Sequence, residues 1–361
     1  MSSSGEAVEK DYNIDNTDAN YGTLQTALDA IPRPHDTYIF EGSTSKDDIG
    51  GTSLAAGSTN RSFEAGTIQN FQLFDWNNTA TTHPRSNQSL QGWRWVSGVE
   101  KYSPNGYVLE ENNPLDIPST AKYGYHHFLS TLVVQNAEYE TVYFESYEDE
   151  TAIEQALNTL SISEDQAHAG EKSLQIPATA SYEIQNLNLQ TTAKLIEPTR
   201  GGLQLKLWAY KDATNPIDYT QSANFEVSLT TTPAGLASNP ALIKNPEEIA
   251  HIGNWVLLSI EFTASELGAI GDNINITFNN KTGAATYLDD IRIQPRYGEM
   301  MAYVYNPKDF KVVATFDDEH FGVYYQYNEE GQLTRKYIET ERGLKLLQES
   351  QYNSHTIPRD Q

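Results

Sequence analysis

The 361-residue chain has no cysteine. That absence excludes disulfides, thiolate zinc sites and cysteine nucleophiles together. No apolar run approaches the roughly 20 residues needed to span a bilayer, so membrane insertion is not expected. Basic residues are scarce, with 24 Lys and Arg against 49 Asp and Glu, for a formal net charge of −25. A surface of that sign repels nucleic acid and anionic lipid, and neither is expected as a partner. The excess carboxylate suits a calcium-rich exterior and serves equally to keep a large β protein soluble. The opening MSSSGEAVEKDYNIDNTDAN lacks the basic, apolar and small-residue succession of a secretory leader. The chain is therefore expected to be either unexported or one piece of a longer exported protein. Catalytic fingerprints are missing as well: there is no G-x-S-x-G, H-E-x-x-H, P-loop, dinucleotide or EF-hand pattern. A carboxylate pair for glycoside hydrolysis is set by a spatial separation of about 5 to 9.5 Å, which spacing along a chain does not reveal. No enzyme is expected.

What is present points to strands. Residues 1–20 are rich in Asp, Asn, Ser and Glu and read as a disordered or loosely docked arm. Thr23–Ile31 has the pattern of a short helix stopped by Pro32. From 21 to 140 the chain is Gly-, Asn-, Ser- and Thr-rich, with short aromatic runs such as GWRWVSGVEKYS, which favours short strands and turns. Ser103-Pro104-Asn105-Gly106 marks a tight hairpin. Asn328-Glu329-Glu330-Gly331 marks a second of related design, in a C-terminal stretch, 297–361, that ends amphipathic in IETERGLKLLQES. Between them, 141–296 forms the clearest domain, with helix propensity only near Ala152–Leu157. Leu203, Leu205 and Leu207 alternate on one strand, as do Val256, Leu258, Ile260 and Phe262 on another, and these faces are expected to make a core. The fold class is all-β: an antiparallel β-sandwich of jelly-roll type flanked by short β-hairpin layers, with little helix.

The domain resembles the jelly-roll carbohydrate-binding modules of the galactose-binding-like type. The likeness rests on Tyr147-Glu148-Asp149, AHAGEKSL at Ala167–Leu174, the strand at Asn254–Leu257 and the closing LDDIRI. The flanks YSPNGYVLE, AKYGY, VVQNAEY and YYQYNEEGQL resemble the C-terminal parts of very long surface proteins of Bacteroidota with YD- or Rhs-like hairpins. Together these resemblances imply an extracellular or cell-surface setting and a glycan, or a protein of a surface assembly, as partner. They also imply a structural calcium ion at the sandwich edge. Its matching ligands are Glu148 and Asp289, with main-chain oxygens around His168 to Ser173, those of Lys172 and Ser173 included.

The residues alone leave alternatives open. Simple alternation in TYLDDIRIQP places Tyr287, Asp289, Ile291 and Ile293 on one buried face, so Asp289 needs a partner. Calcium would supply it, and so would backbone amides or a Lys or Arg. Glu145 rivals Glu148, and Asp290 points the other way. His168, before Gly170, reads as a hydrogen-bonding strut, and His126 and His127, adjacent on a strand, do not chelate together. Trp208 and Trp255 read as packing residues; Tyr210 and Tyr219, bordering the loop KDATNPIDY, are the expected ligand contacts. The function expected is non-catalytic binding of a glycan. The alternative is a spacer or docking piece of a large exported assembly.

Overall fold

The computed structural model describes residues 7–8, 33–40, 44–45, 61–63, 66–68, 93–149, 162–184, 187, 189–214, 216–232, 241–268, 273–340 and 342–352. Most of the opening arm and the helices expected at Thr23–Ile31 and Ala152–Leu157 lie outside them. The chain divides into two units, Met1–Thr120 and Ala121–Gln361.

In the first unit, strands β1 (Ala7–Val8) and β2 (Asp36–Phe40) share one edge of β6 (Trp93–Tyr102), and β7 (Val108–Asn112) takes the other. Strand β8 (Pro118–Gly124) follows β7 in register. Short strands β3 (Thr44–Ser45), β4 (Arg61–Phe63) and β5 (Gly66–Ile68) form a separate sheet.

The second unit is an antiparallel β-sandwich with a third β layer. One sandwich sheet orders β11 (Ile162–Ser163), β12 (Ser173–Ile176), β21 (Thr286–Pro295), β15 (Gly202–Tyr210), β19 (Trp255–Thr263) and β18 (Glu247–Ile252), with β10 (Tyr143–Glu145) also on β21. The other orders β13 (Ser181–Glu183), β20 (Asn273–Asn280), β16 (Phe225–Thr232) and β17 (Leu242–Lys244), with β14 (Leu189–Gln190) on β20. The expected alternation holds: Leu203, Leu205, Leu207, Val256, Leu258, Ile260 and Phe262 meet Phe225, Val227, Leu229, Ile274, Ile276 and Phe278 in one core. Each such side chain contributes about 1.5–3 kcal/mol on burial.

The third layer is a meander of β22 (Glu299–Tyr305), β23 (Val312–Phe316), β24 (Gly322–Tyr327), β25 (Leu333–Thr340) and β26 (Gly343–Glu349), with β9 (Leu129–Gln135) beside β22. Met300, Ala302 and Val304 point inward and join Leu132, Val134, Ala314 and Phe316 in a second core against Trp208, Leu257 and Phe144. The β15–β19–β21 sheet is therefore buried on both faces. This explains why β15 and β21 carry almost no exposed position. β9 pairs in register with β22, Met300 opposite Val134, so stretches that the sequence reading grouped in separate regions share one sheet.

Four turns use one design, one of them closing Asp116 N–H on Asn113 O at 3.0 Å with Asp116 at φ 58. Gly106 N–H bonds Ser103 O at 2.9 Å and Gly331 N–H bonds Asn328 O at 2.9 Å, both glycines at positive φ. In the β23–β24 turn His320 takes the glycine's place at φ 74, its N–H bonding Asp317 O at 3.1 Å. A side chain at that backbone costs about 1–2 kcal/mol, and burial offsets it: His320 is fully buried, with Nε2 2.7 Å from Asp290 O.

That turn clamps the third layer to the sandwich. Arg292 of β21, fully buried, donates through Nη1 to Asp317 O at 2.7 Å and Asp318 O at 3.1 Å, and through Nη2 to Met300 O. Lys206 Nζ donates to Asp318 O at 3.1 Å, and Trp208 Nε1 to His320 O at 3.2 Å.

Candidate functional site

Strand β21 departs from simple alternation. Lys206 faces Arg292 and Trp208 faces Asp289, so two residues, Asp290 and Ile291, oppose Leu207 alone. Asp290 sits at φ 48. This β-bulge inserts one residue and inverts the facing of everything before it. The expectation that Tyr287 and Asp289 share the face of Ile291 and Ile293 is thus corrected. Leu288, Ile291 and Ile293 enter the sandwich core, while Asp289 lies opposite Trp208 and Tyr287 opposite Gln175, on the other face.

Asp289 does find partners there. Its Oδ2 accepts from His168 N at 2.7 Å and Ala169 N at 3.3 Å, and its Oδ1 from Asp290 N at 2.8 Å. Glu148 Oε1 accepts from Glu171 N and Lys172 N, both at 2.6 Å. The loop from His168 to Lys172 thus folds its amides around two buried carboxylates. Gly170 permits this at φ +81, where a Cβ would stand 2.3 Å from Glu148 Oε1. Ser173 lies buried in β12 opposite Ser163. Glu145 is paired locally, its Oε1 accepting from Tyr147 N at 2.8 Å.

Calcium takes about 6 to 8 oxygens, many of them carbonyls. Here the loop turns N–H groups inward, the polarity that holds an anion. The arrangement does not fit a resident calcium ion at Glu148, Asp289, Lys172 and Ser173. Among the described residues no group of three or more His, Asp or Glu is disposed to hold a metal. The melting temperature is expected to be the same with and without chelator. A drop on chelation would place an ion in this loop.

His168 bridges layers. Its Nδ1 is 2.7 Å from Asp290 Oδ2 and its Nε2 2.9 Å from Glu339 Oε1 of β25, and its ring stacks on Trp208 at 4.2 Å. Burial disfavours the imidazolium, but hydrogen bonds to Asp290 and Glu339 outweigh it and raise its pKa to about 9. Burial pushes Glu148 and Glu145 up to about 7 and Asp290 up to about 6. In each case the folded chain binds protons more tightly than the unfolded chain. Their contributions to stability are fully present below the unfolded values and are lost as pH rises through the folded ones. Burial holds His320 well below its ordinary value; it must stay neutral, so stability also falls below about pH 6.5. Thermal melts are expected to show a maximum near pH 6 and a loss toward pH 9; a flat profile from 6 to 9 would contradict the His168 bridge.

The bulge also builds a surface feature. On the outer face of β12, β21, β15 and β19 the register aligns Gln175 with Tyr287, and Tyr210 with Trp255, while Ala209 opposite Leu288 brings Tyr210 beside Tyr287. The result is a row across four strands at the end of the sheet. The three rings are half-buried. Tyr210 meets Trp255 at 5.5 Å and 71°, and Tyr287 at 6.0 Å and 87°. Gln175 Nε2 donates to Tyr287 Oη at 2.9 Å and Asn254 Nδ2 to Tyr210 Oη at 3.2 Å. Lys211 Nζ, at the rim, is engaged by Glu248 at 2.9 Å.

Of the two tyrosines expected to meet a ligand, Tyr210 lies in this row. Tyr219 does not: it is fully buried, its hydroxyl bonded to Tyr210 O at 2.5 Å and Thr286 Oγ1 at 2.6 Å. The row's other members, Tyr287 and Trp255, were missed. The first was hidden by the bulge. The second read as a packing residue on the resemblance, and its ring does pack in part against the second core.

No family model matches the chain, and no curated protein does. Solved structures similar over part of it include the CBM22-1 xylan-binding domain of Paenibacillus barcinonensis Xyn10C, 12% identical, TM-score 0.25, covering 37% of this chain and 78% of that one. A family 16 carbohydrate-binding module is 13% identical, TM-score 0.24, covering 37% and 82%. SGBP-B from a xyloglucan utilization locus in Bacteroides uniformis is 13% identical, TM-score 0.21, covering 72% and 66%.

Proposed function

We propose that this chain is a non-catalytic binding protein whose ligand is a glycan, held at the row of Tyr287, Tyr210 and Trp255. The observation that carries the reading is the row itself: three half-exposed rings in register on rigid strands, flanked by Gln175 and Asn254 and by Asp165, whose Oδ2 lies 3.5 Å from Tyr287 Oη. Aromatic faces take the C–H faces of sugar rings while amides and carboxylates take hydroxyls. Strands and hydrogen-bonded hydroxyls fix the rings beforehand, which lowers the entropic cost of binding. The setting that accompanies this reading is extracellular or cell-surface, which protease shaving of intact cells would check.

A spacer is the second reading, and one observation favours it: the third layer covers the rest of that sheet face, burying Trp208 and Leu257. Affinity electrophoresis against a broad panel of soluble polysaccharides separates the two. Retardation by a few related glycans, lost in Trp255→Ala, supports the binding site. Free migration through the whole panel supports the spacer.

A further inference from the structure

The outer face of the third layer is turned away from the sandwich, whose contacts it makes through Met300, Ala302, Val304, Ala314 and Phe316. Register aligns Tyr303, Thr315, Val323, Ile338 and Lys345 across five strands, and Met301 stands opposite Val133 one step along β22. Val133 and Met301 are 40% and 50% exposed; Tyr303, Val323, Tyr325 and Ile338 are half-buried. An open apolar face of this kind is what sheet-on-sheet packing covers. Its charges are sorted by end. Glu299 stands at the start of β22, while Lys336 and Lys345 stand on β25 and β26. None of the three has an ion pair among the described residues; Lys336 lies over the Tyr325 ring at 5.3 Å.

We propose that this face is the contact surface of a homodimer of the chain. A two-fold axis in the contact plane, lying across the line from Glu299 to the two lysines, sets Glu299 of each copy against Lys336 and Lys345 of the other. Glu299 is about 13 Å along β22 from the Tyr303 row, and the lysines are three to four strands, about 14 to 19 Å, across it. Legs so nearly equal make that line a diagonal. The strands of the two copies then cross near a right angle, one of the two packings open to stacked sheets. Six strands, about 24 Å across and 20 Å long, offer on the order of 500 Å² per copy. Both copies together bury about 1,000 Å², the lower edge for a specific interface. The dimer is therefore weak, and the −25 charge on each copy opposes it at low salt.

Sedimentation equilibrium of the full chain, from low micromolar to several hundred micromolar at physiological salt, tests this. The mass is expected to move from one chain to two. Ile338→Lys or Glu299→Lys should weaken association at least roughly tenfold, about 1.4 kcal/mol. Glu299→Lys combined with Lys336→Glu and Lys345→Glu should restore it. These positions are exposed or half-exposed, and circular dichroism verifies that each variant folds. A parent that stays monomeric throughout overturns the proposal. So does a dimer indifferent to these substitutions, or growth past two chains, as edge pairing at β26 would give.

Discussion

Arg292→Ala is expected to lower the free energy of unfolding by about 3–5 kcal/mol, the range for stripping one partner from a buried charged contact. The physical case is local. The guanidinium is fully buried, and burial pulls its pKa down only to about 10, so it remains charged at neutral pH. Its two terminal nitrogens serve three main-chain oxygens, those of Asp317, Asp318 and Met300. Truncation leaves Met300 O without this donor in a buried place, costing about 1–3 kcal/mol, and removes the part-buried contacts to Asp317 O and Asp318 O. It also opens a cavity. Lysine is a poor substitute, since one ammonium on a flexible stem does not reproduce a planar fork that reaches carbonyls on two sides. Because two of the carbonyls belong to the turn after β23 and the third to β22, all in the third layer, the loss should fall on the joint between layers. Limited proteolysis is then expected to release the third layer earlier than in the parent, alongside a lower denaturation midpoint in urea. A change below about 1 kcal/mol would mean the clamp is incidental.

The second large effect is expected at Trp255. Trp255→Ala should weaken glycan binding by about 10- to 100-fold, equivalent to about 1.4–2.8 kcal/mol. The indole is half-exposed and is held from below by the His168 ring at 5.4 Å. Truncation removes the contact face and some packing on the second core, while the sandwich core keeps Val256 and Leu258. Tyr219→Phe serves as the control: it deletes two buried hydrogen bonds and should lower stability by about 1–2 kcal/mol while leaving affinity unchanged. Isothermal titration calorimetry on both variants reads the distinction. Equal losses of affinity in the two would mean that the tryptophan acts through folding and not through contact.

Much of the fold was legible in the sequence. Period-two alternation in β15 and β19 identified the face those strands turn to the sandwich core, since side chains along a strand point to one face at every second position. The two glycine hairpins were legible because positive φ selects Gly. The β23–β24 turn of the same design was not, because His320 occupies the glycine position and is stabilised there by contacts from distant β21. The carboxylate at Asp289 was correctly read as buried, and backbone amides were among the partners left open for it, but its face was misread, since a bulge has no reliable signature in a run as regular as TYLDDIRIQP.

The sequence by itself therefore determined the all-β class, the sandwich core and the absence of cysteine chemistry. These follow from composition and from local periodicity, which act over a few neighbouring residues. Tertiary structure alone decided what the loop at His168 to Lys172 holds, that a third layer covers the sandwich, and which aromatic rings stand together at its uncovered end. Those outcomes depend on one inserted residue at Asp290 and on an arginine that meets a turn 25 residues away, contacts whose formation no local preference encodes.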